Sequence, residues 1–292
     1  MIPPLYTTVN VPPMPFGLNF GQRVVSLGSC FADEIGERLA AGGFDVECNP
    51  FGTLYNPASV AAALDRLVDD RDVGEDDLVR HEGLWHSWHH HGSFSRPLAT
   101  ATIDACNSRL HQAHAALRDA HLLMITFGTA WVFELADGGM IVANCHKLPA
   151  SSFRRRRMTV DEIVALWRPL LAKLTAFNPS LSVLFTVSPI RHMADGAHGN
   201  QLSKSTLLLA VDELMAHTQG CTLAYFPAYE MLLDELRDYR FFGPDMVHPS
   251  VLAADIVYDR FQQALMSPAV RQQAHNNAKQ RRREHHVPLH EV

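Results

Sequence analysis

Short apolar segments alternate along the chain with longer segments in which apolar residues recur every three or four positions. The short segments predict buried strands at 23–28, 44–48, 122–127, 181–187 and 222–226. The helical period is clear in Phe31, Ile35 and Leu39, a run that ends at Gly42-Gly43. Apolar strands that alternate with helices predict an α/β fold, a three-layer α/β/α sandwich with a central, mainly parallel sheet.

Further periodic segments complete this pattern. Helices are predicted up to residue 67, after the turn at 49–53, and over 103–120, 161–177 and 203–217. Residues 131–135 and 140–143 predict a hairpin around Asp137-Gly-Gly139. A closing helix follows Ser250, whose hydroxyl suits an N-cap.

Three segments fall outside the alternation. Residues 1–20 are rich in proline and predict an extended arm that lies over a single domain of residues 21–267. Residues 70–102 are polar and irregular, and they predict an insertion or lid. From residue 268 the chain turns polar and basic, which predicts a frayed tail up to residue 292.

Composition narrows the class of protein. Twenty-five basic and 31 acidic side chains give a formal net charge of −6, so no nucleic-acid partner is expected. No apolar run is long enough to predict a transmembrane segment, and the first residues lack the pattern of a secretory signal. Five cysteines occur without a CxxC pair, which is typical of reduced thiols and predicts a cytoplasmic protein. The sequence leaves the oligomeric state open.

Two candidate nucleophiles stand at one strand-to-helix turn. Ser29 and Cys30 follow the first predicted strand and open the first helix. Ligands bind beyond the carboxyl ends of the strands in such sheets, and helix N-terminal amides lower the pKa of a thiol and hold an oxyanion. The alternative is that Ser29 only caps the helix and that Cys30 is a small buried side chain.

A second motif supplies the groups that such a nucleophile requires. Asp245 stands three residues before His248, in a turn that precedes the last helix. A carboxylate can orient an imidazole, and the imidazole can then act as the base for a serine or cysteine. The alternative is that Asp245 caps a turn and that His248 is merely exposed.

These residues resemble the motifs of the GSCFA domain family, in the SGNH (GDSL-like) hydrolase clan. The name motif is matched by Gly28-Ser29-Cys30-Phe31-Ala32, and the likeness runs from about residue 20 to residue 265. Other matching motifs, in the same order, are Asn49-Pro-Phe-Gly52-Thr53, Phe127-Gly128-Thr129-Ala130, Asn144-Cys145-His146-Lys147, Ser188-Pro-Ile-Arg191-His192, Ser203-Lys204-Ser205 and Asp245-x-x-His248. The resemblance implies a flavodoxin-like fold and a nucleophile–His–Asp site.

The clan's first motif reads Gly-Asp-Ser-Leu-Ala, and its alignment with residues 28–32 implies that Cys30 is the nucleophile. A capsule-polysaccharide acetyltransferase family of similar fold reads Gly-Asn-Cys at this turn, which favours the same register. The clan's fourth motif implies that His248 is the acid–base residue and Asp245 its partner. Physical chemistry also favours Cys30 over Ser29, because a thiol at a helix N-terminus beside an imidazole ionises more readily than a hydroxyl. Ser29 would then supply an amide to the oxyanion hole.

The resemblance also implies an oxyanion hole. The clan's second motif assigns an oxyanion-binding amide to Gly52. Its third motif carries an asparagine where this chain has Ala130, so we expect Thr129 or Asn144 to replace it.

Further polar residues near these motifs have two interpretations each. Trp85 and His91 bound the polar run 85–91, which predicts either a substrate-facing lid, with Trp85 or Trp88 stacked on a sugar, or an exposed loop. No metal is expected there, since consecutive histidines cannot all face one ion.

Cationic residues also follow the predicted strands. Lys147, Arg191 and Lys204, beside His146 and His192, either contact an anionic acyl donor or acidic glycan or are solvated surface charges. The run Arg154–Arg157 predicts a solvated face, with an anionic polymer or a membrane surface as the alternative partner.

Three functional hypotheses follow. The first is an acyl-ester hydrolase or O-acyltransferase that acts on a carbohydrate or cell-envelope precursor, without a cofactor but with acetyl-CoA or another acyl donor as an alternative co-substrate. The second is a module that binds a small-molecule or glycan ligand without turning it over. The third is a scaffold protein that docks through residues 154–157 and the basic tail.

Overall fold

A computed structural model of the chain describes residues 7–284. Its strands are β1 (Arg23–Gly28), β2 (Asp45–Cys48), β3 (Leu78–His81), β4 (Leu84–Ser87), β5 (Ala120–Phe127), β6 (Trp131–Leu135), β7 (Ile141–Val142), β8 (Phe153–Arg157), β9 (Ser182–Val187) and β10 (Thr222–Phe226). Its α-helices are α1 (Cys30–Ala41), α2 (Pro57–Val68), α3 (Ala99–Arg118), α4 (Val160–Phe177), α5 (Gly196–His217), α6 (Ala228–Glu230), α7 (Val251–Leu265) and α8 (Pro268–Glu284).

Five of the strands form a parallel sheet in the order β10-β9-β5-β1-β2. Neighbouring residues of one strand pack on opposite faces: Val25 belongs to the apolar core with α2, α3, α4 and α5, and Val24 to the core with α1 and α7. Both faces of the sheet are therefore covered, which explains why its strands are almost wholly apolar. The predicted α/β/α sandwich with a central parallel sheet is confirmed.

A smaller antiparallel sheet, in the order β7-β6-β8, lies outside the central one. The predicted hairpin of β6 and β7 forms, and the arginine run before α4 is a strand in which Arg154 and Arg155 are exposed, as the predicted solvated face requires. In β8, Arg154 and Arg156 both pair with Glu134, which is only 5% exposed. Arg155 pairs with Asp195. These ion pairs compensate the charges of three of the four arginines, which disfavours the alternative of an anionic polymer or a membrane surface as the partner.

The basic segment after residue 267 also differs from its prediction. Residues 268–284 form α8, which packs on α1 through the buried Ala274. Asn277 Nδ2 donates to the carbonyl of Gly42, and Arg281 Nη1 donates to that of Ala40. The segment is therefore a docked helix, because one of its faces is apolar enough to bury, while residues 285–292 lie outside the described part of the chain.

The predicted N-terminal arm is described from residue 7 onward. Residues 7–20 contain no helix or strand, and Leu18 is buried, with its N–H bonded to the carbonyl of Leu265. Over residues 7–284, none of the helices has the length and apolar character that a membrane span requires. The cytoplasmic location and the absence of a nucleic-acid partner stay predictions.

Candidate active site

The turn between β1 and α1 is held by main-chain contacts that require glycine. Gly28 has a φ of +144°, and a Cβ atom there would lie 2.1 Å from the carbonyl oxygen of Thr126. The Gly28 N–H donates to Asn49 Oδ1 (2.9 Å), and the Ser29 N–H donates to Thr126 O (3.1 Å). Asn49 is itself held by Asp33, whose Oδ1 accepts from Asn49 Nδ2 at 2.7 Å. The turn is thus fixed from both sides.

Cys30, His248 and Asp245 come together at this turn. Cys30 Sγ lies 3.8 Å from His248 Nε2, within reach of a sulfur hydrogen bond. His248 Nδ1 lies 2.6 Å from Asp245 Oδ2, and Asp245 Oδ1 accepts the N–H groups of Val247 (2.9 Å) and His248 (3.0 Å). These N–H donors lower the pKa of Asp245 well below its usual range. The ionised carboxylate favours the tautomer with a proton on Nδ1, which leaves Nε2 as a base.

The electrostatic surroundings of Cys30 differ from the prediction. Burial and the carboxylate of Asp33 raise the pKa of the Cys30 thiol, and the amides of Cys30 and Phe31 only partly offset them. The helix N-terminal amides lower this pKa as expected, but burial and Asp33 outweigh them. Asp33 lies three residues further along the same helix, so its charge opposes the helix dipole at short range. Cys30 rests as a thiol that needs a base.

Ser29 has a structural contact of its own. It is 1% exposed, and its Oγ accepts the Phe31 N–H at 3.3 Å as the N-cap of α1. His248 Nε2 is paired with Cys30 Sγ instead. The Ser29 amide, expected in the oxyanion hole, donates to Thr126. The geometry therefore favours Cys30 over Ser29 as the candidate nucleophile.

A cleft of about 620 Å³ opens above Cys30 and His248. Its other walls come from the loops after β1, β5 and β9 and from the smaller sheet, with the aromatic rings of Trp131 and Phe133 on one side. Of the predicted site residues, those that line it are Ser29, Cys30, Thr129, Asn144, Arg191, His192 and His248. The carboxyl edge of the sheet thus gathers motifs that are far apart in the chain.

Two of the amides expected to hold an oxyanion already have partners. The Gly52 N–H donates to Asn49 O at 2.7 Å, and its Cα faces His91, whose Cβ would lie 2.4 Å from a Cβ atom at this position. The Thr129 N–H donates to Tyr55 O at 2.9 Å. Gly52 and the Thr129 amide are therefore unavailable for the role that was expected of them.

The two expected replacement side chains also have intramolecular bonds. Thr129 Oγ1 lies 2.9 Å from Ser203 Oγ, and Asn144 Oδ1 accepts the N–H of His146 at 2.8 Å. The Asn144 amide group still lines the cleft.

The expected cation cluster does not form. Lys204 is completely buried, and its Nζ donates to Gly128 O (2.6 Å) and Ser188 O (2.7 Å). This burial lowers the pKa of Lys204 to about 7. Lys147 is exposed away from the cleft, and the Arg191 guanidinium lies over the Phe242 ring and donates to Met246 O. Lys204 therefore ties the ends of β5 and β9 together, contrary to the prediction that it contacts an anionic ligand.

The two predicted site histidines differ in position. His146 is buried away from the cleft, where Nε2 bonds to Ser87 O at 2.8 Å and the ring stacks on His86. His192 lines the cleft, and its ring meets the edge of Tyr55. Burial lowers the pKa of both imidazoles to about 4, so they are neutral at pH 7.

The insertion is a packed layer rather than a lid, and neither Trp85 nor His91 lines the cleft. Trp85 pairs with Arg96 through its main chain, and His91 donates its N–H to Phe51 O. Trp88 is 8% exposed and therefore cannot stack on a bound sugar. Over residues 7–284, no group of three or more His, Cys, Asp or Glu side chains could hold a metal ion.

Several residues that line the cleft were not singled out from the sequence. They are Tyr55, Asn56, Trp131, Phe133 and Asp195, and they lie beside Arg155 of the predicted arginine run. The Arg155 guanidinium lies 4.2 Å from the centre of the Trp131 ring and pairs with Asp195, so its charge is compensated. Only Asn56 carried a sequence signal, since an asparagine before proline and a helical run is a typical N-cap.

This fold and site define an α/β protein with a cysteine, a histidine and an aspartate in contact at the carboxyl edge of a parallel sheet. The model of the GSCFA family matches residues 23–261, and the chain belongs to that family. No curated protein matches it.

Solved structures give a weaker likeness. A carbohydrate esterase of family 3 from Talaromyces cellulolyticus is 9% identical, with a TM-score of 0.40, and the match covers 87% of this chain and 99% of that one. An acetylxylan esterase from Geobacillus stearothermophilus is 9% identical, with a TM-score of 0.42 and coverage of 85% and 96%. An α/β hydrolase from the metagenome of Lake Arreo is 10% identical, with a TM-score of 0.44 and the same coverage. Likeness at this level assigns no activity.

Proposed function

We propose that this protein is an esterase that cleaves acyl esters through a covalent intermediate on Cys30. The observation that carries the proposal is the Cys30–His248–Asp245 arrangement, with 3.8 Å between sulfur and imidazole and 2.6 Å between imidazole and carboxylate. A nucleophile, a base and a group that orients the base are the parts that acyl transfer through a covalent intermediate requires.

In the first half-reaction, Cys30 Sγ attacks the acyl carbonyl carbon while His248 Nε2 takes the thiol proton. The raised pKa of the Cys30 thiol supports a role for His248 as the base in this step. The new S–C bond pushes the carbonyl π electrons onto oxygen. When the tetrahedral intermediate collapses, the C–O bond to the alcohol breaks, and the alcohol oxygen takes the proton from Nε2.

In the second half-reaction, His248 takes a proton from water as its oxygen attacks the thioester carbon. The C–S bond then breaks, the acid is released, and the proton returns to sulfur. Asp245 stays ionised throughout, because two N–H groups hold its carboxylate. Its role is to orient the ring and to stabilise the imidazolium.

The cleft suits a substrate with a neutral carbohydrate part. Trp131 and Phe133 offer aromatic surface, and Asn144 offers a side-chain amide for hydroxyl groups. Arg155 is paired with Asp195, and Lys204 is buried below the floor, so neither offers an unpaired charge to a coenzyme A phosphate. An acylated glycan or cell-envelope precursor is therefore the proposed substrate class, with water as the acyl acceptor.

Steady-state hydrolysis of p-nitrophenyl acetate tests the proposal. Cys30→Ala should lose the activity, whereas Ser29→Ala should keep most of it, because Ser29 serves as a cap. Cys145→Ala is the matched control, since Cys145 also lines the cleft but has no imidazole partner in the described chain. Full activity in Cys30→Ala would contradict the proposal. A wild-type protein that binds acetylated oligosaccharides without hydrolysing any ester would favour the binding module instead.

A further inference from the structure

The proposed mechanism develops a negative charge on the carbonyl oxygen, and this charge needs hydrogen-bond donors. The Gly52, Ser29 and Thr129 amides are all bonded within the protein. Ala130 stands where the clan's motif has asparagine, and its own N–H is bonded to Ser203 Oγ at 2.8 Å. A further side-chain donor beside the nucleophile turn would complete the oxyanion hole.

We infer that the side-chain amide of Asn56 is a donor of this oxyanion hole, an inference that rests on the proposed esterase function. Asn56 lines the cleft together with Ser29 and Cys30, and it is only 6% exposed. Over residues 7–284, its Nδ2 has no hydrogen-bond partner, although the rest of the side chain is held. An amide that lines a cleft and has unpaired N–H groups is available to an acceptor on a ligand.

Local structure fixes which end of this amide faces the cleft. Asn56 is the N-cap of α2, and its Oδ1 accepts the Ser59 N–H at 2.8 Å. Because only the oxygen can accept that hydrogen, the assignment of Oδ1 and Nδ2 is determined by the cap. The NH₂ group must therefore lie on the side away from the helix.

The main chain also ties Asn56 to the nucleophile turn. The Leu54 N–H donates to Gly28 O at 2.9 Å, and Tyr55 O accepts the N–H groups of Gly128 (2.8 Å) and Thr129 (2.9 Å). Residues 54–56 therefore lie between the ends of β1 and β5, directly beside Ser29 and Cys30. A donor at this position replaces the missing asparagine from a different segment of the chain.

The test uses a variant that keeps the cap and removes the donor. In Asn56→Ser, the hydroxyl can still cap α2 but is too short to replace the amide group. We expect kcat for p-nitrophenyl acetate to fall by about 10²- to 10³-fold, the usual loss for one oxyanion donor, with KM little changed. Alkylation of Cys30 by iodoacetamide develops no oxyanion, so its rate should stay within about twofold of the wild-type rate.

Two controls separate this inference from other causes. Thr159→Ala removes the N-cap of α4, a residue that does not line the cleft, and should keep its activity despite a loss of stability. Wild-type kcat in Asn56→Ser would overturn the role of Asn56 and leave the proposed esterase function intact. An equal fall in hydrolysis and alkylation would also overturn it, because Asn56 would then act on Cys30 itself. A wild-type protein that hydrolyses no ester and forms no acyl adduct would overturn the esterase function and this inference together.

Discussion

The Nε2 atom of His248 lies 3.8 Å from the Sγ atom of Cys30, a residue 218 positions earlier in the chain. The sheet creates this contact, because β1 delivers Cys30 to its carboxyl edge and the loop before α7 returns to the same edge. The arrangement places a base beside a thiol whose pKa is raised. The proposed mechanism therefore includes a proton transfer from Cys30 to His248 in the attack step.

The free thiol should react like an un-ionised cysteine. Burial and Asp33 raise the pKa of Cys30, so its alkylation by iodoacetamide should titrate above the ordinary cysteine value of about 8.5. Asp33→Asn should shift this midpoint downward, because a negative charge is removed. The measurement is the rate of Cys30 alkylation against pH, in a background where the other cysteines are mapped by peptide mass. An alkylation rate that is already constant above pH 6 would show that Cys30 is a thiolate and would contradict its raised pKa.

Asp245→Asn should leave the fold intact and reduce hydrolysis. The amide cannot stabilise an imidazolium and favours the wrong tautomer of His248, so kcat should fall by about 10²- to 10⁴-fold. Asp238→Asn is the matched control, since Asp238 is a nearby exposed carboxylate that pairs with Arg240. Equal activities of the two variants in the p-nitrophenyl acetate assay would remove Asp245 from the mechanism.

Ser29→Ala should affect stability more than activity. Ser29 Oγ caps α1 through the Phe31 N–H, and the loss of such a cap costs about 1 kcal/mol. The free energy of unfolding, measured in urea, should fall by that amount while ester hydrolysis persists. Should hydrolysis vanish in a variant that is folded and still alkylated at Cys30, the hydroxyl of Ser29 would be the nucleophile.

The buried His90 should make the fold sensitive to acid. It is 1% exposed, bonds Ser87 Oγ at 2.9 Å and stacks on Phe51, and burial lowers its pKa to about 3. Between pH 6.5 and about 3, the unfolded chain binds a proton at this site that the folded chain does not. The free energy of unfolding should therefore fall as pH drops below 6.5, by ~1.4 kcal/mol per pH unit for this residue.

Urea unfolding at pH 7, 6 and 5 tests this linkage. In a plot of the free energy of unfolding against pH, His90→Gln should reduce the slope by the contribution of one proton. His198→Gln, at an exposed site, should leave this slope unchanged. An identical pH dependence in wild type and His90→Gln would contradict the assignment.

The sequence predicts the strands of the sheet and the positions of Cys30, Asp245 and His248 well, because these features depend on local patterns. Apolar runs identify the five strands of the sheet, the Gly28 turn identifies the candidate nucleophile, and the Asp245-x-x-His248 spacing identifies its partners. Each of these signals lies within a few residues, and the carboxyl edge of a parallel sheet brings them together. Burial, the larger cause of the raised pKa of Cys30, depends on the fold, whereas the second cause, Asp33, stands one helical turn after Cys30 in the sequence.

Other features depend on tertiary contacts that no local pattern reports. Lys204 reads as a surface cation, yet its amine is enclosed between the carbonyls of Gly128 and Ser188. Gly52 carries a matching motif, but its amide closes a turn on Asn49. Trp85 and His91 belong to a polar segment that packs on the domain instead of covering the cleft. Which polar groups stay unpaired is settled only when the whole chain is folded.

Intact-mass spectrometry of acid-quenched protein after incubation with p-nitrophenyl acetate tests the central claim most directly. The wild-type protein and Ser29→Ala should each gain the mass of one acetyl group on the peptide that contains Cys30, and neutral hydroxylamine should release it as expected for a thioester. Cys30→Ala should gain nothing. An adduct that persists in Cys30→Ala, or ester hydrolysis in which acetyl is trapped on a residue other than Cys30, would contradict the account.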